Sequence, residues 1–215
     1  MGNFCVAIID DHAAITTALS NILKFKGFDV DSFTNPTVFL ESARSKPYDC
    51  VLLDEIMDPI NGLEVFKICR NEGMQFPTIM VTGNATTELV VTAMEAGFSY
   101  VFEKPIIDGK HQELLDRVQM YCDEYRKTIA HDVRRAKQLE VFATLSDREK
   151  EVLRQLANGK LNKQMAGEMK VGLRTIETYR SRLMVKIGAE TVADAIAFAI
   201  AVGLRDDPEE QAQVG

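Results

Sequence analysis

The chain has 215 residues, 46% of them hydrophobic and 27% charged. That balance allows a real core and either one large domain or two ordinary ones. No apolar run approaches the roughly 18 residues of a membrane span, and no basic-then-apolar leader opens the chain, so a soluble cytoplasmic protein is expected.

The net charge of −7 is unevenly spread. Residues 1–143 carry 14 basic against 21 acidic side chains, and residues 144–205 carry 11 against 7. The acidic tail, 206–215, with Asp206, Asp207, Glu209 and Glu210, restores the deficit. Within 160–186 there are seven basic residues against two acidic ones, so only the C-terminal part suits a polyanion. A solvated basic face is the plainer alternative. Cys5, Cys50, Cys69 and Cys122 form no C-x-x-C pair and read as free thiols rather than metal ligands.

Short apolar runs alternate with helical patterns over the first 125 residues. The runs are 4–9, 29–33, 50–53, 78–81 and 99–102. Between them, helical spacing places Ile15, Leu19, Ile22 and Leu23 on one face, and further helices near 37–44, 63–71 and 86–96. The alternation predicts an α/β fold, a parallel sheet with helices on both faces and a site outside the carboxyl ends of its strands. From about 112 to 140 no Gly or Pro interrupts a helical stripe of Leu114, Val118, Tyr121, Tyr125, Ile129, Val133 and Ala136. That helix would pack on the sheet at its start, then either meet a partner helix or serve as a connector. Residues 145–203 predict four helices, the first opened by the capping box Ser146–Glu149 and the last by Thr191 with Asp194.

Five polar residues fall at strand ends: Asp10 and Asp11 after the first, Asp54 after the third, Thr82 at the end of the fourth and Lys104 after the fifth. Adjacent strand ends would gather them. Three carboxylates in one pocket repel and should recruit a hard divalent cation, for which Mg²⁺ is suited. An Asp neutralised in this way can attack phosphorus, with Lys104 and the Thr82 hydroxyl meeting the phosphoryl oxygens. An Asp after a strand is by itself usually a cap or a turn; the meaning lies in the five together.

With these residues, IIDDH (8–12), VLLDEIMDPINGLEV (51–65), IMVTGNA (79–85) and EAGFSYVFEKPI (95–106), the chain resembles a receiver domain of two-component response regulators. The resemblance implies a flavodoxin-like sheet of order 2-1-3-4-5, Asp54 as phosphoacceptor and a partner histidine kinase. It also implies Mg²⁺ on Asp11, Asp54 and the Ile56 carbonyl, supported by Asp10. Two positions depart from the pattern. Asp58 stands where the family has Pro, with Pro59 one later. Val101 stands at the switch-aromatic position, with Tyr100 one step earlier, and one step along a strand reverses facing.

Asn162–Met169 and Leu173–Ile187, joined by Lys170-Val-Gly172, have the spacing of a helix-turn-helix, although an ordinary helical hairpin fits the same pattern. Residues 145–189 as a whole resemble the LuxR-type helix-turn-helix, placing the chain in the NarL/FixJ class, nearer the FixJ branch. Here Gly172 replaces the usual Ser cap and Tyr179 the usual His. Glu177, Thr178 and Ser181 should face base edges, and Lys163, Arg174, Arg180, Arg182 and Lys186 phosphates.

The domains expected are a receiver over 1–122, a helical linker over 123–143, a DNA-binding domain over 144–205, and the tail. A non-enzymatic, DNA-binding regulator that dimerises on phosphorylation follows. The alternatives are a module regulated without phosphorylation and, more remotely, a dehalogenase-type phosphatase.

Overall fold

A computed structural model describes residues 3–106 and 109–204; the acidic tail expected over 206–215 lies outside them. The chain divides into two compact units between Thr128 and Ile129.

In the first unit, β1 (Cys5–Ile9), β2 (Asp29–Phe33), β3 (Cys50–Asp54), β4 (Thr78–Thr82) and β5 (Tyr100–Glu103) form one parallel sheet of order β2-β1-β3-β4-β5. It is the order expected. Connecting them are α1 (Ala13–Phe25), α2 (Pro36–Ala43), α3 (Gly62–Asn71) and α4 (Thr87–Ala96), and α5 (Lys110–Ala143) follows. The central strands are apolar throughout because both faces are covered. Ala7, Ile9, Val51, Leu53 and Met80 pack beneath Phe39, Val65, Phe66 and Ala93. Their neighbours in the pleat, Val6, Ile8, Cys50, Leu52, Ile79 and Val81, face Leu19, Leu23, Leu114, Leu115, Val118 and Cys122. The same alternation separates Val101 from Tyr100, which join opposite cores.

The helix read from about 112 to 140 runs as a single element of 34 residues. Its stripe divides as burial demands: Leu114 and Val118 are buried in the sheet core, whereas Ile129 and Val133 are 43% and 55% exposed. Arg126 fixes it to the amino edge of the sheet, donating to both carboxylate oxygens of Asp49 at 2.8 and 2.7 Å and to the Asn3 carbonyl at 2.7 Å. The cysteines are free thiols, three of them buried.

The second unit holds the C-terminal part of α5 with α6 (Asp147–Ala157), α7 (Asn162–Glu168), α8 (Leu173–Ile187) and α9 (Val192–Ala201). Leu153, Leu156, Met165, Ile176, Leu183 and Phe198 form its core, with Val141 and Phe142 of α5 against them. Both expected capping boxes are present, Ser146 with Glu149 and Thr191 with Asp194. The turn between α7 and α8 places Lys170, not Gly172, in the left-handed region, at φ 53°. Gly172 is the N-cap of α8 and offers no side-chain acceptor to the first-turn amides. Among the described residues no helix is long and apolar enough to cross a membrane.

Candidate functional site

The strand register aligns Ile9 with Leu53, Asp54 with Val81 and Thr82 with Glu103, so residues ending or following these strands meet at one edge of the sheet. There Lys104 Nζ donates to Asp10 Oδ2 at 2.6 Å and to Asp54 Oδ1 at 2.7 Å, tying the ends of β1, β3 and β5 together. Asp10, Asp54 and Thr82 are buried to 2%, 6% and 1% exposure. Burial pushes the Asp54 carboxyl up from its ordinary value and the Asp10 charge adds to this, while Lys104 and the Glu55 amide oppose it. Burial alone would lower the Lys104 ammonium; the hydrogen bonds to Asp10 and Asp54 outweigh it and hold it protonated.

Ligating atoms of Asp10, Asp11 and His12 lie within 4.8 Å of one another. Asp11 and His12 are exposed, and His12 Nδ1 is 2.7 Å from Asp11 Oδ1. An oxygen-rich donor set with Asp54 across the lysine matches what a hard cation such as Mg²⁺ requires. Ile56 follows on the exposed loop with its side chain 74% in solvent, and Asp58 is exposed beside it. That loop closes on Gly62, whose amide donates to the Glu55 carbonyl at 2.9 Å. A Cβ at Gly62 would stand 2.1 Å from the Asp54 carbonyl oxygen, so only glycine permits this approach.

One partner was not read from the sequence. The Thr82 hydroxyl donates to Glu55 Oε2 at 2.5 Å and accepts from the Asn84 amide at 3.1 Å. A carboxylate directly after Asp54 carries no sequence signal of its own, since alternation does not say that a bend will turn it toward β4.

On α8, Arg174, Glu177, Thr178, Ser181 and Arg182 are exposed, on the side away from the buried Ile176 and Leu183, and Lys163 is exposed on α7. Two basic residues of this group already have protein partners. Arg180 donates to Asn162 Oδ1 at 2.9 Å, and Lys186 donates to Glu149 Oε2 at 2.7 Å. The Glu149 side chain is 4% exposed and also accepts from the Ser146 amide and hydroxyl, each at 2.8 Å. Burial would raise its carboxyl, but Lys186 and Ser146 outweigh burial and hold it at about 2.

A parallel sheet that closes buried aspartates on a lysine at its carboxyl edge, in one chain with a helix-turn-helix unit, is the architecture of a two-component response regulator. The receiver domain of response regulators matches residues 6–119, and the luxR family of bacterial regulatory proteins matches residues 143–199. The chain belongs to these families and, by the pairing of the two, to the NarL/FixJ class. It is 29% identical to the transcriptional regulatory protein FixJ of Bradyrhizobium diazoefficiens, over 94% of this chain and 97% of that protein. It is 30% identical to nodulation protein W of the same organism, over 97% and 91%. Among solved structures, the response regulator StyR has a TM-score of 0.78 at 26% identity, covering 92% of this chain and 98% of that one. Full-length FixJ from B. japonicum has a TM-score of 0.59 at 27% identity, covering 96% and 100%. The protein is thus a response regulator with a LuxR-type DNA-binding domain.

Proposed function

We propose that a partner histidine kinase transfers a phosphoryl group to Asp54 and that this controls binding of double-stranded DNA through α8. The observation that carries the reading is the double hydrogen bond of Lys104 to Asp10 and Asp54. It supports Asp54 as the nucleophile because this carboxylate is buried, adjoins a fixed cation and ends the central strand. An Asp54 oxygen attacks phosphorus, the bond from phosphorus to its donor breaks, and Lys104 and the Thr82 hydroxyl would meet the phosphoryl oxygens. Asp10, Asp11, Asp54 and the Ile56 carbonyl are the groups that would hold Mg²⁺. When bound, the ion supplies positive charge against the carboxylates and the incoming phosphoryl group.

On the DNA side, Glu177, Thr178 and Ser181 read base edges, and Lys163, Arg174 and Arg182 position the protein on phosphates. Arg180 and Lys186 already donate to Asn162 and Glu149, so their phosphate contacts draw on the N–H donors that remain to them. Functionally we divide the chain as receiver 1–122, linker 123–143 and DNA-binding domain 144–205. The phosphorylated form is read as a dimer, through the face holding β5 and the start of α5, and as acting in the cytoplasm, where DNA lies. The test is mass mapping after incubation with Mg²⁺ and acetyl phosphate. An alkali-labile adduct on Asp54 is expected, and a label retained in Asp54→Asn would overturn the assignment.

A further inference from the structure

Beside the proposed phosphoacceptor stands a second carboxylate that phosphoryl transfer as described above does not use. Glu55 is only partly buried, yet its side chain points inward, onto a threonine hydroxyl that is 1% exposed. The backbone sets that direction. The Glu55 carbonyl is held by the Gly62 amide at 2.9 Å, in a loop closed so tightly that a methyl group at Gly62 would collide with the Asp54 carbonyl.

A hydroxyl has one proton to give and two lone pairs to receive with. Thr82 gives its proton to Glu55 Oε2 and receives from the Asn84 amide. In that state it has no proton for an oxygen on Asp54. The role proposed above for Thr82, donation to a phosphoryl oxygen, therefore begins with the loss of an existing bond. Hydrogen bonds to carboxylates are roughly twice as strong as those between neutral groups, so the hold is not trivial.

We infer that Glu55 is a positioning residue that clasps the Thr82 hydroxyl in the unphosphorylated site and yields it when a phosphoryl oxygen on Asp54 competes for the same proton. The inference rests on the reading of Asp54 as phosphoacceptor. No proton is transferred in the exchange: Thr82 keeps its O–H bond and changes only its acceptor. The consequence is a threshold, with acceptance of phosphate by Asp54 slowed and the unphosphorylated arrangement of β4 kept distinct from the phosphorylated one.

The experiment is the rate of phosphoryl incorporation into the full chain from acetyl phosphate with Mg²⁺, followed by intact mass. It compares the unsubstituted protein, Glu55→Ala and Glu55→Gln, each with Thr82 present and with Thr82→Val. Freeing the hydroxyl should speed Glu55→Ala about tenfold, the factor that loss of one hydrogen bond to a charged group corresponds to. Glu55→Gln preserves shape and a weaker acceptor, and should give a smaller increase even if the alanine variant folds poorly. On Thr82→Val both increases should shrink to within about twofold, because the residue through which Glu55 acts is gone. Equal acceleration in both backgrounds would mean that Glu55 acts by charge repulsion alone and would overturn the inference, as would an unchanged or slower rate. Failure of the underlying reading looks different: the unsubstituted chain would form no adduct on Asp54, and the inference would fall with it.

Discussion

Each unit of this protein buries a carboxylate against a lysine, and the two pairs behave in opposite ways. In the first unit Lys104 is divided between Asp10 and Asp54, so neither carboxylate has the cation to itself, and Asp54 is pushed up by burial. In the second, Glu149 has Lys186 and two donors from Ser146 and is held at about 2. A buried charge whose needs are met is costly to disturb, because removing one partner strands the other, whereas a cluster with more negative than positive charge is poised to take up a cation or react. The contrast separates a joint that holds a fold from a site that performs chemistry.

The largest effect expected is at the reactive pair. Asp54→Asn should abolish phosphoryl incorporation altogether while leaving the second unit's stability unchanged, as read by intact mass and by hydrogen exchange of α6 and α8 amides. Glu149→Ala should do the reverse. It removes a capping acceptor and leaves Lys186 without its partner, and should destabilise the second unit by about 2 kcal/mol. That figure is below the value for a fully buried pair because Lys186 is 43% exposed. Phosphoryl incorporation should be intact.

The pair also sets a pH dependence. Because the folded-state pKa of Glu149 lies below its ordinary 4.5, its contribution is fully present above 4.5 and is lost as pH falls from there toward about 2. Acid unfolding of the second unit should show that loss in the unsubstituted protein and flatten in Glu149→Gln.

Smaller effects test the DNA contacts proposed for α8. Glu177→Ala should weaken a specific duplex by roughly 1–3 kcal/mol and leave random DNA unaffected. Arg182→Ala should weaken both and flatten the dependence of log affinity on log salt by about 1. Lys186→Ala should give the smallest change of all in that slope, near zero, because its ammonium is drawn toward the buried Glu149 carboxylate. A change near 1 would show that the lysine also meets a phosphate, blurring the distinction between the two pairs.

Much of this was legible in the residue order. Strand and helix periods differ, so the alternation over 4–102 specified a parallel sheet with two covered faces. Asp10, Asp54, Thr82 and Lys104 were readable as one group because parallel strands bring their carboxyl ends to one edge. The capping boxes at Ser146 and Thr191 were readable because a cap depends on residues only three apart. Facing along β5 was readable too, since Tyr100 and Val101 must point to opposite sides.

What the sequence determined by itself is whatever depends on local spacing: the elements, their caps, the sheet that follows from their alternation, and the set of polar strand ends. What only the tertiary structure decided is how single side chains divide their hydrogen bonds among neighbours distant in sequence. Lys104 shared between Asp10 and Asp54, the Thr82 proton given to Glu55, Arg180 held by Asn162 and Lys186 by Glu149 span 18 to 94 residues. Periodicity says which face a residue occupies. It does not say which of several donors and acceptors on that face will meet, because that depends on bends and turns fixed only when the elements pack.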